Sequence, residues 1–429
     1  MIAASVSIGV STMAAVVMLG PGGAALASPT NPTAAALGFN VFVDENADLT
    51  SNEIEGPLAL GGNLRIGGPF QVAGSSPGTF IAPGDGTHPS ALVIGGAINW
   101  LTSAPGAILA VNNNNAYAKL GDVTGSQVLN VDSNNAPGNT HIVPVNTPYE
   151  GTPRVELRLT QPVTSVLQSV IDFAAAFTDF RNSSTALAGC TNNVILTNAN
   201  GVPLSRPIAP LTQAYITLAP NTTNVLNLTG VELDNLVSLT FNNSPTATQP
   251  LLVNVDTSAD NTYVFDVPNQ AGIGIGQAPF ILWNFPTASS ITMPSTAATL
   301  EGTLYAPNAD LIDLSPNNIE GQVITESITM GGPNANGGEV HYAPFTATLN
   351  CVATSPTPSV SPSTSVSPSP SASPSTSPSP SASPSTSPSP SASPSTSPSP
   401  SMSPSRSPSA SPTVRPSRSP YGRPYPPRP

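Results

Sequence analysis

Two near-copies of one short pattern sit 19 residues apart: Leu300-Glu301-Gly302 and Ile319-Glu320-Gly321, each followed by alternating apolar residues. A third copy, Ile54-Glu55-Gly56, lies far upstream. A period near 20 residues with glycine at a fixed place is the signature of one coil of a β-solenoid. One coil alone cannot bury its inward row of Val, Ile and Leu; only a stacked neighbour can. The pattern predicts an all-β fold, a parallel β-solenoid. Apolar runs at Leu58–Leu60, Ala91–Ile94, Ala107–Val111 and Val128–Val131 stand between Gly, Asn and Pro, and read as buried strands with tight corners. Asn-rich corners such as Asn112–Asn115 tolerate left-handed backbone angles, and stacked Asn side chains can form ladders between coils. Residues 192–270 return to strand-like alternation and read either as later coils or as an insertion.

One segment breaks the β pattern. Val163, Val166, Leu167, Val170, Phe173, Ala174 and Phe177 follow helical spacing, which predicts one amphipathic helix over about 161–187. Thr160 and Pro162 suit its start and Gly189 its stop. Packing along the solenoid is its expected use, with a partner helix as the alternative.

The chain divides into two polymers of opposite charge. All 23 acidic residues precede Pro344, with Lys119, Arg65, Arg154, Arg158, Arg181 and Arg206 the only cations there, so the body carries 6 − 23 = −17. The stretch after Cys351 has five arginines and no acid, which gives −17 + 5 = −12 overall. An acidic body argues against nucleic acid and against anionic lipid as partners. From Thr354 a ten-residue Ser/Pro repeat begins, with copies at Ser367, Ser377 and Ser387. Proline at every second or third place forbids helix and central sheet, and nothing apolar is there to bury. Residues 354–429 are therefore expected to be a disordered stalk, at most about 240 Å long at ~3.1 Å per residue. Its hydroxyls are candidate glycosylation sites, and its Arg-containing end could hold an anionic wall polymer or simply be solvated.

Residues 1–27 read as a secretory signal, with an apolar run from Ile8 to Leu19 and cleavage after Ala27 in Ala25-Leu26-Ala27. No other stretch is long and apolar enough to span a bilayer, so no integral membrane span is expected in the mature chain. Cys190 and Cys351 are the only cysteines. In an oxidising compartment they would be bridged, at roughly 5 kcal/mol in the chain-entropy model; the alternative is two buried thiols.

Several blocks, taken in order, carry a family resemblance: Ala36–Val43, Ile54–Asn63, Ile281-Leu-Trp283-Asn284-Phe285-Pro286, Tyr305–Ala309 through Gly321–Ile324, and Gly338–Phe345. The chain resembles choice-of-anchor A family proteins over roughly residues 36–350, with Glu55, Gly56, Trp283, Asn284, Glu301, Gly302, Glu320 and Gly321 as the motif positions. The resemblance implies a secreted, adhesin-like β-solenoid (about residues 30–352) displayed at the cell surface. A Leu-Pro-x-Thr-Gly sorting motif is not found in this sequence, so retention through the Ser/Pro tail is the expected alternative to covalent wall attachment.

Catalytic signals are sparse. His88, His141 and His341 are the only histidines, without zinc-site spacing, and there is no Gly-x-Ser-x-Gly elbow. The strongest enzyme reading is a polysaccharide hydrolase or lyase using Glu301 and Glu320 on adjacent coils. Glutamate before a corner glycine more often ties down backbone or faces solvent, so the expectation is no enzyme. No cofactor is expected except Ca²⁺, for which Asp44/Asp48 and Asp256/Asp260 are candidate loops that serve equally as turns. Trp283 and Phe285 could stack on sugar, but Ile281 and Leu282 beside them favour a core strand. Ice or mineral binding would need regular Thr rows, which Thr160, Thr164 and the scattered others do not form in the sequence. Lys–Asn isopeptide cross-links, used by some adhesins, need lysines, and Lys119 is the only one. The expected partner is an extracellular polymer or cell-surface ligand, bound on the flat strand faces.

Overall fold

The computed structural model describes residues 30–351, so the expected signal segment (1–27), its cleavage site and the expected Ser/Pro stalk (354–429) lie outside the described residues. Strands stack in parallel as the rungs of a β-solenoid, and the rungs do not follow chain order. Along one face they run Asn224–Thr229, Leu251–Asp256, Ile281–Asn284, the first half of Thr303–Asp313, then Val323–Met330. Val41–Val43 comes next, pairing in register with Val323–Thr325 on one side and Leu58–Leu60 on the other. Ser90–Ile94 and Tyr117–Leu120 complete the face. The chain thus starts in the middle of the stack, builds outward to one end, crosses to the other end, and coils back to meet its own beginning. Residues 224–271 are therefore coils rather than an insertion.

The inward rows form one continuous core. Val41, Leu58, Leu92, Leu226, Val253, Trp283, Leu304 and Val323 are all fully or almost fully buried within it. The exception to the buried-strand reading is Ser126–Val131, which pairs antiparallel with Pro137–Pro144 at the end of the stack. Its residues are half-buried or exposed because no further coil covers them.

The segment read as one helix is two. α1 spans only Val163–Val166, and α2 spans Phe173–Ala188. Lys119 Nζ donates to the Ser165 carbonyl (2.6 Å), an acceptor a continuing helix would use, and also to Gln168 Oε1 (3.1 Å). Asp172 then starts a new helix by accepting from the Ala175 N–H (3.0 Å), a side-chain N-cap. The buried stripe also shifts: Phe173, Ala176, Phe177, Phe180, Ser184 and Leu187 point inward, whereas Val163, Leu167 and Ala174 are exposed. Gly189 ends α2 as expected.

α2 lies across the outer side of the first face and creates a second core with Phe39, Phe42, Leu252, Leu282, Tyr305 and Ile324. Phe42 meets Phe173, Phe177 and Phe180 at ring-centroid distances of 5.2, 5.9 and 5.6 Å. Further along, the rungs of Tyr305, Asn284, Asn254 and Asn227 meet Phe180, Ser184, Leu187 and Cys190 in turn. Sixteen helical residues span about 24 Å, matching five steps of ~4.8 Å between rungs. Cys190, just past the helix, is joined to Cys351 by a disulfide with a Cα–Cα distance of 5.6 Å.

Candidate functional site

With one face under α2, two sheet faces remain open. The first carries the Glu-Gly motif. Leu300, Ile319, Val340 and Ile54 are inward neighbours in register and fully buried. Alternation then turns the next residue of each strand outward, giving one row: Glu301, Glu320, His341, Glu55. The distant upstream copy thus becomes the fourth rung of the row because the N-terminal coil stacks on the C-terminal one. On the other side of the inward residues Glu339 pairs with Glu53, so five glutamates and one histidine share four rungs.

The glycines follow from the same stacking. Gly302 has φ of +122°, and a Cβ on Gly321 would sit 2.2 Å from the Gly302 carbonyl oxygen. At Gly321 the corner passes backbone against backbone, whereas a Cβ on Gly56 would meet the Tyr342 ring at 2.2 Å and the Asn40 side chain at 2.7 Å.

His341 bridges two of the carboxylates. Its Nδ1 is 2.8 Å from Glu320 Oε2 and its Nε2 is 3.0 Å from Glu339 Oε2, while Asn318 Nδ2 lies 3.2 Å from Nε2. Burial pushes the imidazole pKa down, but the Glu339 hydrogen bond and the Glu320 and Glu55 charges outweigh it and raise it overall. Glu55 Oε2 accepts from the Tyr342 N–H (3.1 Å). Burial, with the Glu320 charge added, raises the Glu301 carboxyl to about 7, against a smaller lowering by His341. Glu301 Oε2 is buried and makes no hydrogen bond. Burial and the charges of Glu339 and Glu55 likewise raise Glu53. The row can hold protons near neutrality, yet its most perturbed oxygen is turned away from solvent.

The second open face has short side chains. One outward row reads Thr262, Ser290, Asp310, Ser327, and the next reads Val264, Thr292, Ile312, Thr329. Tertiary stacking brings Thr292 and Thr329 onto one row from distant parts of the sequence, so the scattered threonines are less scattered than they read. The row is short, however. It passes into Asp48 and Arg65, an ion pair at 2.5 Å.

The other sequence candidates take structural roles. Trp283 and Phe285 are fully buried, and Trp283 Nε1 donates to the Glu301 carbonyl (3.0 Å). Asn284 belongs to a buried ladder the sequence reading missed. Its Nδ2 donates to Asn254 Oδ1 (2.8 Å), and Asn254 Nδ2 donates to Asn227 Oδ1 (3.0 Å). The same amides donate to the carbonyls of Ser184 and Leu187 in α2 and of Cys190 just past it, tying the end of the helix to three rungs. The available signal was spacing: the three asparagines are 27 and 30 residues apart, about one coil each. In the proposed calcium loops, Asp44 pairs with Arg181 (2.7 Å) and Asp48 with Arg65. Asp256 and Asp260 accept from the N–H groups of Ser258 and Thr262 two residues on. Among the described residues no group of three or more His, Cys, Asp or Glu side chains is arranged to hold a metal ion.

A family model described as an ice-binding-like adhesive domain matches residues 32–342. No curated relative matches the chain. Among solved structures, an ice binding protein from an Antarctic biological consortium is similar at 12% identity, covering 77% of this chain and 97% of that one, with a TM-score of 0.27. An ice binding protein from an Antarctic bacterium of the Flavobacteriaceae gives 12% identity, 76% coverage of this chain, and a TM-score of 0.27; the match spans about half (51%) of its length. An ice-binding protein domain of Shewanella frigidimarina gives 13% identity, coverage of 73% and 98%, and a TM-score of 0.28. Alignments this distant carry no argument about function. Among the described residues no helix is long and apolar enough to cross a membrane.

Proposed function

The chain belongs to the ice-binding-like adhesive domain family, and from that premise we propose that it is a secreted surface adhesin whose ligand lies on the Thr/Ser face of the solenoid. The observation that carries this is the contrast among the three faces. One is sealed by α2, one is crowded with carboxylates, and only the Thr/Ser face offers flat rows of short side chains over four rungs. Rungs ~4.8 Å apart match an extended, repeating, hydroxylated ligand better than a small molecule. A neutral polysaccharide such as chitin or cellulose fits this chemistry; ice, the ligand in the names of the similar structures, is the second reading. In this proposal residues 354–429 hold the solenoid away from the envelope; the matched family is the ice-binding-like adhesive domain rather than the choice-of-anchor A proteins the sequence resembles.

The test is binding of the full secreted chain to matrix proteins, chitin, cellulose, pectin, cell-wall glycans and ice, with and without EDTA, scoring released sugar as well. Saturable binding without product, reduced at least about tenfold by Thr292→Arg with Thr329→Arg and unchanged by Glu301→Gln, is the expected result. Soluble oligosaccharide lost in Glu301→Gln or Glu320→Gln would overturn it and make the glutamate row catalytic.

A further inference from the structure

At the far end of the stack, where the helix-covered face stops at Tyr117–Leu120, the only lysine of the chain is completely buried. Its Nζ lies 2.6 Å from Asp85 Oδ2, and the two side chains are 0% and 1% exposed. Asp85 sits in the long loop between Phe70–Val72 and Ser90–Ile94, so the contact joins that loop to the outermost rung. Two features set this pair apart from the ion pairs elsewhere on the body. The Arg65–Asp48, Arg154–Glu156 and Arg181–Asp44 pairs are all partly solvated. In addition, Asp85 Oδ2 makes no hydrogen bond despite its closeness to Nζ, so the approach lacks hydrogen-bond geometry.

Ser165 completes the arrangement. Its Oγ donates to Asp85 Oδ1 (2.7 Å) and lies 3.0 Å from Lys119 Nζ, touching both groups at once. Gln161 Nε2 donates to the same Oγ (3.0 Å) and fixes its position, while its own Oε1 accepts from the Ala118 N–H (2.9 Å). Lys119 Nζ also donates to the Ser165 carbonyl (2.6 Å) and Gln168 Oε1 (3.1 Å), so the amine is held in place beside the Asp85 carboxyl inside the body.

We infer that Lys119 and Asp85 are the partners of an intramolecular isopeptide cross-link, with Ser165 as its proton relay. Transfer of one proton from the Lys119 ammonium to Asp85 Oδ2 yields an amine facing a carboxylic acid, with no net change in charge. Nζ then bonds to Cγ, and Ser165 Oγ passes a second proton from Nζ to the carboxyl group. One C–O bond breaks, that oxygen leaves as water with both protons, and an amide with one N–H remains. No oxidant, metal or co-reactant is needed. The product locks the loop around Asp85 to the last rung, at the point where the hydrogen-bond ladder has no further coil to hold it. A single lysine suffices for this bond, so the lysine-poor composition does not exclude it.

Trypsin gives a direct readout, because Lys119 is the only lysine or arginine between Arg65 and Arg154. The full secreted chain, denatured and reduced, is digested and its peptides are weighed. The cross-link blocks cleavage at residue 119 and predicts a single peptide, 66–154, lighter than its sequence mass by about 18 Da. Separate peptides 66–119 and 120–154 at full mass overturn the proposal, and this reading needs no variant to fold. Lys119→Arg, which keeps the charge but cannot condense, is expected to give the two separate peptides. In Ser165→Ala the cross-link is expected to form about a hundredfold more slowly after refolding; an unchanged rate overturns the relay role.

Discussion

The helix-covered face and the glutamate face are built from the same coils, yet they solve opposite problems. On the helix-covered face the outward row carries Phe42, Leu252, Leu282, Tyr305 and Ile324, and α2 buries it. On the glutamate face the outward row carries Glu301, Glu320, His341 and Glu55, and no helix among the described residues seals it, so these side chains stay partly exposed. The inward rows are alike, so coil stacking sets the fold, while the outward rows decide which face becomes core and which stays wet. The polar groups differ in the same way. The asparagine ladder is neutral and pairs with helix carbonyls, so it can be buried. The glutamates repel each other and must share protons or a histidine.

The first way to break this contrast is to empty the second core. Phe42→Ala removes the ring that three α2 phenylalanines enclose, and is expected to cost about 3–5 kcal/mol in urea denaturation. A loss under about 1 kcal/mol would mean that α2 is not integral to the body. Next in size is Asn254→Ala, which cuts the ladder on both sides and leaves the Leu187 carbonyl with only the Cys190 N–H (3.0 Å) among the described residues. That change is expected to cost about 1–3 kcal/mol by the same measurement.

The smallest effect lies on the glutamate face and depends on pH. Glu301 is raised from its ordinary value to about 7, so the folded state holds this proton more tightly than the unfolded chain. Its stability contribution is fully present below about pH 4.5 and is lost as pH rises through about 7. The raised His341 acts in the same sense, its contribution being lost as pH rises through its folded value. Glu301→Gln should flatten this dependence and stabilise the body above pH 7. The gain is on the order of 1 kcal/mol, since solvent screens a half-buried carboxyl. Thermal melts of wild type and variant from pH 4 to 8 provide the check, and a wild-type Tm that climbs steadily from pH 4.5 to 7.5 would contradict it.

Much of the glutamate row was legible before the fold was known. Glu301 and Glu320 repeat at one-coil spacing before glycine, and they fall on adjacent rungs. His341 was harder to recognise, because its rung replaces Glu with His and Gly with Tyr342 while keeping a 21-residue step from Glu320. The helix was legible in kind but not in extent. Val163 to Phe177 kept helical spacing through a segment where Lys119, 46 residues away, captures the Ser165 carbonyl. Periodicity reports which residues could share a face, and it cannot report a competing acceptor supplied by another coil.

By itself the sequence determined the solenoid, because inward Val, Ile and Leu at coil spacing have no other way to leave water. It also determined that each Glu of the motif sits at a corner, since the glycine that follows it leaves room for a close neighbour that a Cβ would meet. Only the tertiary structure decided that the N-terminal coil inserts beside the C-terminal one, setting Val41 against Val323 and Glu55 beside His341. The reason is that any exposed coil edge can pair with any other coil of matching width. The choice between them rests on long-range contacts, such as α2 crossing six rungs, that no local pattern encodes.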